Sequence, residues 1–242
     1  MQIYSKIDIG RARNSNQDAL FTEVLPDGAA LAIVCDGMGG ANAGNVASET
    51  AATAIADFIR RSFRQGLDSS QLLGLLQSAI RSANITVFDM SVESEELSGM
   101  GTTVVAAIAR DNFAVIAHVG DSRAYLIKNG DITQLTRDHS VVQSLIESGK
   151  LTPEEARVHP RKNVITRALG TEEDVLADST EISLDEGDTL LLCTDGLTNF
   201  VDNSEILSIF EQTDIKDTAE VLTATANQNG GGDNITVVTV TL

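Results

Sequence analysis

The spacing of hydrophobic positions changes several times along the chain, and the first stretch predicts strands. Residues 2–9 alternate between apolar and polar side chains, as expected of a strand with one buried face. Two further apolar runs, 19–24 and 29–35, lie on either side of a Pro-Asp-Gly turn and predict a β-hairpin. The N-terminal part of the chain therefore begins as antiparallel sheet.

Two helices are predicted next, because the apolar residues change to a helical period. Between residues 44 and 64 they recur at intervals of three and four. A second helix, for which Ser69 or Ser70 can supply the N-terminal cap, carries apolar residues on one face as far as Met90. The short connection between the two favours an antiparallel helix pair.

The alternating period then returns and predicts an antiparallel meander. Its strands cover residues 102–110, 112–120 and 123–135. The first break contains Arg110, Asp111 and Asn112, and the second is Asn129-Gly130, a strong hairpin-turn dipeptide. Three consecutive strands joined by such short turns pair as neighbours in one sheet.

Residues 138–177 differ from the rest of the chain, because they are short, polar and mixed in pattern. Thr152 with Pro153 and Glu155 is a helix-start signature, in which the threonine caps the helix and the glutamate completes a capping box. This segment is expected to be an insertion of short helices that covers one face of the protein.

The C-terminal part adds strands and a second helix pair. The expected elements are strands 178–184 and 188–194, a helix from Asp202 or Asn203 to Gln212, a helix over 215–227 and a strand over 234–242. No regular alternation of strand and helix appears, which disfavours a doubly wound parallel sheet. The sequence predicts an α+β fold, a four-layer α-β-β-α sandwich of two antiparallel sheets, formed by residues 1–242 as a single domain.

Composition excludes several classes of protein. A net charge of −18 argues against nucleic acid or an anionic membrane as the general partner, and no apolar run reaches the roughly 18 residues of a membrane span. The chain starts without a secretory signal segment, and its two cysteines, Cys35 and Cys193, fall inside apolar strands. A cytoplasmic protein with buried free thiols is expected.

Four aspartates are the candidate chemical groups. Asp36 and Asp195 each end an apolar strand and precede glycine, and Asp121 and Asp233 each follow glycine at a strand edge. Each alone fits an ordinary polar turn, since Asp-Gly is common turn chemistry. If the four meet in the folded chain, their repulsion requires cations, and oxygen ligands suit hard ions such as Mg²⁺ or Mn²⁺.

Seven segments together carry a resemblance to a known family. They are RARNSNQD, CDGMGG, GTT, HVGDSRAY, TRALG, CTDGL and GGDNITVV. In this order they closely resemble the bacterial branch of the metal-dependent protein phosphatases, the type 2C or PPM family. The resemblance runs from about Met1 to Leu242 and implies the same sandwich fold. It implies hydrolysis of phosphoserine and phosphothreonine in proteins by a metal-activated water at a binuclear Mn²⁺ or Mg²⁺ centre.

The resemblance also implies metal ligands. Asp36 would bridge two ions, and the carbonyl oxygen of Gly37 would bind the second of them. Asp195 and Asp233 would hold the first ion. Asp121, together with Asp195, would build a third and weaker site of the kind seen in bacterial members. Asp121 could instead be a turn residue paired with the neighbouring arginine.

Two further residues have implied roles in catalysis. Arg13 would hold the substrate phosphate, a task that suits the fork of a guanidinium, and Asp18 would act through metal-bound water. The alternatives are a surface arginine and a turn-capping aspartate. Asn234 is expected to support a turn rather than to bind metal, and Thr102 and Thr103 are expected to be structural.

The chain departs from the family pattern at the proposed general acid. Some members carry a histidine directly after the Asp-Gly pair, where this chain has Met38, and many bacterial members carry one just past the paired glycines, where this chain has Ala41. The histidines present, His118, His139 and His159, cannot be given that role from sequence. Protonation of the leaving group would then come from metal-bound water, and loss of a general acid costs about 10²–10⁴-fold if nothing replaces it.

The expected partners follow from the family. Bacterial relatives often oppose a Ser/Thr kinase, so phosphorylated proteins and a cognate kinase are the expected partners of a monomeric enzyme. The insertion over 138–177 corresponds to the segment called the flap and is expected to tune substrate choice. The alternative function is a catalytically silent relative that binds phosphoproteins.

Overall fold

The computed structural model describes residues 1–40, 43–110 and 112–242. Strands in these ranges form two sheets in which every neighbouring pair is antiparallel. The strands are β1 Gln2–Asp8, β2 Asp18–Val24, β3 Ala30–Met38, β4 Gly101–Thr102, β5 Val104–Arg110, β6 Phe113–Val119, β7 Arg123–Lys128, β8 Asp131–Gln134, β9 Asp178–Ser183, β10 Thr189–Cys193 and β11 Ile235–Thr241.

The helices lie mainly in two pairs. In the described ranges they are α1 Ala43–Ser62, α2 Ser69–Glu93, α3 Val141–Glu147, α4 Pro153–Arg157, α5 Asp195–Thr198, α6 Asn203–Gln212 and α7 Ile215–Gln228. A 3₁₀ turn, Glu95–Leu97, follows α2. None of the described helices is both long and apolar enough to cross a lipid bilayer.

The order of the strands confirms the predicted sandwich. One sheet has the order β1-β11-β10-β7-β8, and the other has the order β2-β3-β5-β6-β9, with β4 paired to β3. Helices α1 and α2 share a hydrophobic core with the second sheet, and α6 and α7 share one with the first. A third core lies between the two sheets. The layers are therefore α-β-β-α.

Strand β3 shows why the strands at the centre of the sandwich are apolar without interruption. Leu31 and Ile33 belong to the core under α1 and α2, whereas Ala32 and Val34 belong to the core between the sheets. Successive side chains of a strand point to opposite faces, so a strand buried on both faces cannot alternate with polar residues. The buried part of β3 thereby fixes the position of its half-buried end, which carries Asp36.

Most of the predicted helix boundaries agree with the structure, with one correction at α2. Its N-cap is Asp68, not Ser69 or Ser70, because the Asp68 carboxylate accepts a hydrogen bond from the N–H of Gln71 and the Gln71 side chain accepts one from Asp68. This reciprocal capping box satisfies two backbone donors. At α6 the cap is Asp202.

The predicted meander is wrong in one respect, because its strands are divided between the two sheets: β5 pairs with β6 in the second sheet, and β7 pairs with β8 in the first. Asn129 has a φ of 53° and Gly130 a φ of 77°, as the predicted hairpin turn between β7 and β8 requires. The other predicted break includes Asp111, which lies outside the described residues.

The segment 138–177 is an insertion of short helices, as predicted. Thr152 caps α4 and forms the expected capping box with Glu155. Ser140 forms an isolated bridge with Ile165, which closes the segment on itself. A bridge between Leu169 and Thr102 ties its far end to the short strand β4, beside the end of β3.

The buried side chain of Asn84 joins α2 to the last loop of this insertion. Its Nδ2 donates to the carbonyl oxygens of Glu172 at 3.0 Å and Glu173 at 3.1 Å, and its Oδ1 accepts from the N–H of Gly170 at 2.8 Å. The side chain is fully buried, so water cannot replace these bonds if it is removed.

We expect Asn84→Ala to lower the free energy of unfolding by about 2–4 kcal/mol, because it leaves backbone groups without partners. Urea denaturation followed by circular dichroism measures this. The control, Ser78→Ala on the exposed side of α2, should change the value by no more than about 0.5 kcal/mol. Equal effects of the two variants would contradict the stabilising role of Asn84.

Candidate metal centre

The register of the first sheet brings three candidate aspartates to one end of the sandwich. The last residue of β10, Cys193, pairs with Arg123 at the start of β7 and with Val237 near the start of β11. The polar residues just beyond this row all lie at the same edge. They are Asp121, Asp195 and Asp233.

The second sheet delivers two more carboxylates to the same place. Asp36, near the end of β3, pairs across the hairpin with Asp18 at the start of β2. The backbone of Asp36 is held on both sides: its N–H donates to Thr103 Oγ1 at 3.0 Å, and its carbonyl accepts from Thr102 Oγ1 at 2.9 Å. The two predicted structural threonines thus fix the position of a candidate ligand.

The five carboxylates lie close enough together for the charges of the others to affect the pKa of Asp36. Burial raises the pKa of Asp36 well above its usual range, and the nearby charges of Asp18, Asp195, Asp121 and Asp233 raise it further. Burial also raises the pKa of Asp195, with Asp233 as the next cause. The structure therefore brings together all the candidate aspartates that the sequence placed at separate strand edges.

Two buried oxygen atoms at this site lack a hydrogen-bond partner among the described residues. One is Oδ1 of Asp18, and the other is Oδ1 of Asp195. Native proteins rarely leave a buried carboxylate oxygen unsatisfied, so each of these atoms calls for a ligand. Orphaned carboxylate oxygens and mutual repulsion together fit hard divalent cations, as expected for Mg²⁺ or Mn²⁺.

The other oxygen of Asp18 accepts hydrogen bonds from two threonines that the sequence analysis did not identify. Asp18 Oδ2 accepts hydrogen bonds from Thr194 Oγ1 at 2.9 Å and Thr236 Oγ1 at 2.7 Å. Thr194 directly precedes Asp195 and Thr236 follows Asp233 by three residues, and this nearness in the sequence was the only available signal. The contact excludes the alternative that Asp18 merely caps its turn.

Two glycines permit the close approach of the chain at this site. A β-carbon on Gly37 would lie 2.0 Å from the carbonyl oxygen of Gly44, and one on Gly196 would lie 1.8 Å from the carbonyl oxygen of Asn234. Any other residue at either position would push apart the segments that carry the aspartates.

Arg13 is attached to the site rather than free at the surface. Its Nη2 donates to Asp233 Oδ2 at 2.9 Å, and its Nε lies 2.9 Å from Asp233 Oδ1. About half of the side chain remains exposed, at 51%. The guanidinium therefore faces both a candidate ligand and solvent, from which a substrate would arrive.

Asn234 joins two loops by side-chain hydrogen bonds, in agreement with the expectation that it supports a turn. Its Oδ1 accepts from the N–H of Gln17 at 2.8 Å, and its Nδ2 donates to the carbonyl oxygens of Ile9 and Ser15. These bonds fasten the polar turn that carries Arg13 to the loop that carries Asp233.

The alternative reading of Asp121, as a turn residue paired with Arg123, is wrong. Arg123 donates to Asp138 from Nε at 2.9 Å and from Nη2 at 2.7 Å, and its Nη1 donates to Tyr125. Burial raises the pKa of Asp121 to about 8, with the charge of Asp195 as the second cause. Asp121 therefore belongs electrostatically to the aspartate cluster.

A cleft of about 300 Å³ opens beside the aspartates. Asp121 and Asp195 lie on one side of it. Ile146 of α3 and Arg157 of α4 lie on the other, so the insertion forms a wall of the cleft. That the insertion tunes substrate choice stays a prediction, and its place in the lining of the cleft is compatible with it.

A second group of potential metal ligands lies away from the aspartates. His118, His139 and Asp178 offer ligand atoms within 4.8 Å of one another. Arg167 Nη1, however, lies 2.7 Å from Asp178 Oδ1 and 3.1 Å from His139 Nε2. Because the guanidinium already supplies a positive charge there, this group is a hydrogen-bonded network rather than a metal site.

The structure supplies no histidine in place of the missing general acid within the described ranges. Met38 packs against Gly101, and Ala41 lies outside the described residues. His118 and His139 are buried, as expected of His118, and the ring nitrogen of His159 accepts a hydrogen bond from the N–H of Arg161.

The chain matches a known protein family over most of its length. Residues 10–229 match the family described as Protein phosphatase 2C. The chain is 42% identical to the serine/threonine phosphatase stp of Listeria monocytogenes serotype 4b over 236 residues, which are 97% of this chain and 93% of the relative.

Solved structures give the same result. The serine/threonine phosphatase of S. agalactiae superposes with a TM-score of 0.92 and 36% identity, covering 100% of this chain and 99% of that one. The catalytic domain of the phosphatase PstP in complex with two manganese ions superposes with a TM-score of 0.86 and 34% identity, covering 98% of this chain and 96% of that one.

The raised pKa values predict how the stability of the metal-free protein depends on pH. Burial raises the pKa of Asp18 to about 7 and that of Asp121 to about 8. Such groups bind more protons in the folded than in the unfolded chain, so their stabilising effect is present at low pH and is lost as pH rises through these values.

We therefore expect the unfolding midpoint in EDTA to fall by about 5 °C or more between pH 6 and pH 8.5, and Mn²⁺ to reverse the fall. Differential scanning fluorimetry measures both. Asp18→Asn should flatten the pH dependence in EDTA, because it removes one of the titrating groups. A midpoint that rises over this interval in EDTA would contradict the expectation.

Proposed function

The chain belongs to the protein phosphatase 2C family and is a protein serine/threonine phosphatase, and we propose that it works with two Mn²⁺ or Mg²⁺ ions. The observation that carries the proposal is the convergence of one buried and four half-buried carboxylates at one end of the sandwich, two of them with orphaned oxygen atoms. The manganese ions of the PstP structure support the choice of metal.

We assign the ligands as the sequence resemblance implies. Asp36 would be shared by both ions, since its carboxylate lies in the field of all the other aspartates. Asp195 and Asp233 would complete one site, and the carbonyl oxygen of Gly37 would contribute to the other. Asp121 would hold a third ion with Asp195. When bound, the ions supply an activated water as nucleophile and neutralise charge on the phosphoryl oxygens.

The chain's own residues would prepare the phosphoryl group for attack. Arg13 bonds Asp233 and is half exposed, so its guanidinium can orient two phosphoryl oxygens of an arriving substrate. Asp18 would hold a hydrogen bond from the attacking water at Oδ1, because two threonines already occupy Oδ2. Those threonines keep the carboxylate in one orientation, which lowers the entropic cost of positioning.

The substrate class is phosphoserine and phosphothreonine in proteins, and the partner we propose is a Ser/Thr kinase whose products the enzyme reverses. The wall formed by the insertion would select among phosphoproteins. Two buried free cysteines suit the reducing cytoplasm as its place of action. We propose that the chain acts as one domain and as a monomer.

The alternative is a regulator of the same fold that binds phosphoproteins without hydrolysis. Its expected signature is loss of Asp36 or Asp195, and both are present at the site. Phosphate release distinguishes the two functions directly.

We expect release of phosphate from a phosphothreonine peptide with Mn²⁺ or Mg²⁺ and none with EDTA. Asp195→Ala should lower the rate at least about 100-fold, because it removes a ligand of two of the ions. The matched control is Asp131→Ala, an exposed aspartate at the start of β8, which should keep the full rate. Metal binding without any turnover would support the silent regulator, and absence of metal binding would contradict the assigned site.

Arg13→Ala should lower kcat/KM about 10–100-fold, because it removes charge-assisted hydrogen bonds to the phosphoryl group. Arg13→Lys should recover only part of this loss, since an ammonium group cannot bind two oxygens with a planar fork. Arg11→Ala in the same turn is the control and should change kcat/KM less than about twofold. Steady-state kinetics with the phosphopeptide measure all three, and an unchanged Arg13→Ala would contradict the assignment.

A further inference from the structure

The loop that carries Asp121 is fastened to the insertion by one histidine. The backbone N–H of Gly120 donates to His139 Nδ1 at 3.0 Å, and the backbone N–H of His139 donates to the carbonyl oxygen of Gly120 at 2.9 Å. His139 in turn accepts a hydrogen bond at its own carbonyl from the N–H of Thr166 at 2.7 Å. Gly120, the residue directly before Asp121, is therefore held by both the backbone and the ring of His139.

This geometry determines the tautomer of the ring. Nδ1 accepts a hydrogen bond from an N–H, so it must present its lone pair and cannot carry a proton. The proton of the neutral ring lies on Nε2, which is 3.2 Å from Asp178 Oδ2. Burial lowers the pKa of His139, with Asp178 opposing the shift, and the ring therefore stays neutral.

Arg167 completes the network without competing for the ring. Its Nη1 carries two protons, and two acceptors lie within reach: the carbonyl oxygen of Leu176 at 2.8 Å and Asp178 Oδ1 at 2.7 Å. Asp178 then receives Arg167 on one oxygen and His139 on the other. The His139 ring also stacks on the His118 ring, with 4.8 Å between their centroids. Although Arg167 Nη1 also lies 3.1 Å from His139 Nε2, its two protons have these two acceptors, so Nε2 donates to Asp178 and the ring has one orientation.

We propose that His139 is a positioning residue for Asp121: its Nδ1 lone pair fixes the Gly120 amide and so directs the Asp121 carboxylate toward Asp195. This inference rests on the proposed role of Asp121 as a ligand of the third ion. Residues that orient a metal ligand from behind commonly change metal affinity about 10–100-fold when they are replaced. Through Arg167 and Asp178 the same ring connects that ion to the base of the insertion.

Two substitutions separate the proposed role from simple filling of space. In His139→Asn the side-chain oxygen is attached to the γ carbon, as Nδ1 is in histidine, so it can still accept from Gly120. In His139→Gln the amide reaches the position of Nε2 and can still donate to Asp178, but no acceptor faces Gly120. Only the glutamine variant should therefore lose the fixed orientation of Asp121.

The experiment is calorimetric titration of the metal-free proteins with Mn²⁺ at pH 8, where the ring is neutral. Wild type should show two tight sites and one weaker site, and Asp121→Asn should lose the weaker one. His139→Gln should weaken that site about 10-fold or more and leave the tight sites unchanged, whereas His139→Asn should remain within about threefold of wild type. The unfolding midpoint in EDTA, measured alongside, reports structural damage separately.

His159→Gln is the matched control, because the Nδ1 of His159 also accepts a backbone N–H, from Arg161 at 3.1 Å, but in an exposed turn. It should leave all Mn²⁺ affinities unchanged. Equal weak-site affinity in wild type and His139→Gln would overturn the proposal, as would equal loss in both His139 variants. Tight binding without a site that depends on Asp121 would overturn it too, and would leave the two-metal phosphatase intact. Absence of all Mn²⁺ binding would overturn the proposed function as well.

Discussion

Repulsion among carboxylates that are buried or half-buried is the constraint on which the rest of this structure depends. Asp36 lies among four other aspartates near the end of the sandwich, and both burial and their charges oppose its ionisation. A site of this kind destabilises the metal-free chain and becomes favourable only when cations enter. The remaining parts of the fold must therefore supply enough rigidity to hold five like charges together.

That rigidity comes from uncharged groups directly behind the carboxylates. Thr102 and Thr103 hold the backbone of Asp36, Thr194 and Thr236 hold the side chain of Asp18, and Asn234 ties two loops together. The cores on both faces of β3 prevent the strand from moving away. Each carboxylate is thus presented by a framework that does not itself need the metal for its hydrogen bonds.

The insertion over 138–177 is connected to this framework at several points. Leu169 bridges to Thr102 beside the end of β3, Asn84 joins the last loop of the insertion to α2, and His139 holds Gly120, the residue before Asp121. A segment that forms a wall of the cleft is therefore in direct contact with the chain segments that carry candidate ligands. If the proposed third metal site at Asp121 exists, binding of a phosphoprotein and occupancy of that site would be expected to influence each other through these contacts.

The sequence alone determined the layers of the sandwich, because the period of apolar residues is a local property that reports which faces are buried. It also determined that Asp36, Asp121, Asp195 and Asp233 lie at strand edges, since each follows or precedes an apolar run beside glycine. The family resemblance added their roles as metal ligands, which stay predictions.

Only the tertiary structure decided which distant side chains meet. Arg13 forms a hydrogen bond with Asp233, which is 220 positions away in the sequence. Arg123 bonds to Asp138 and not to the nearby Asp121, and the His139 ring accepts a hydrogen bond from Gly120. A pattern of apolar and polar residues assigns side chains to a face but does not specify their partners on another segment. Partner choice depends on register, on turn geometry and on close approach at glycines such as Gly196, and these are settled only when both sheets are packed together.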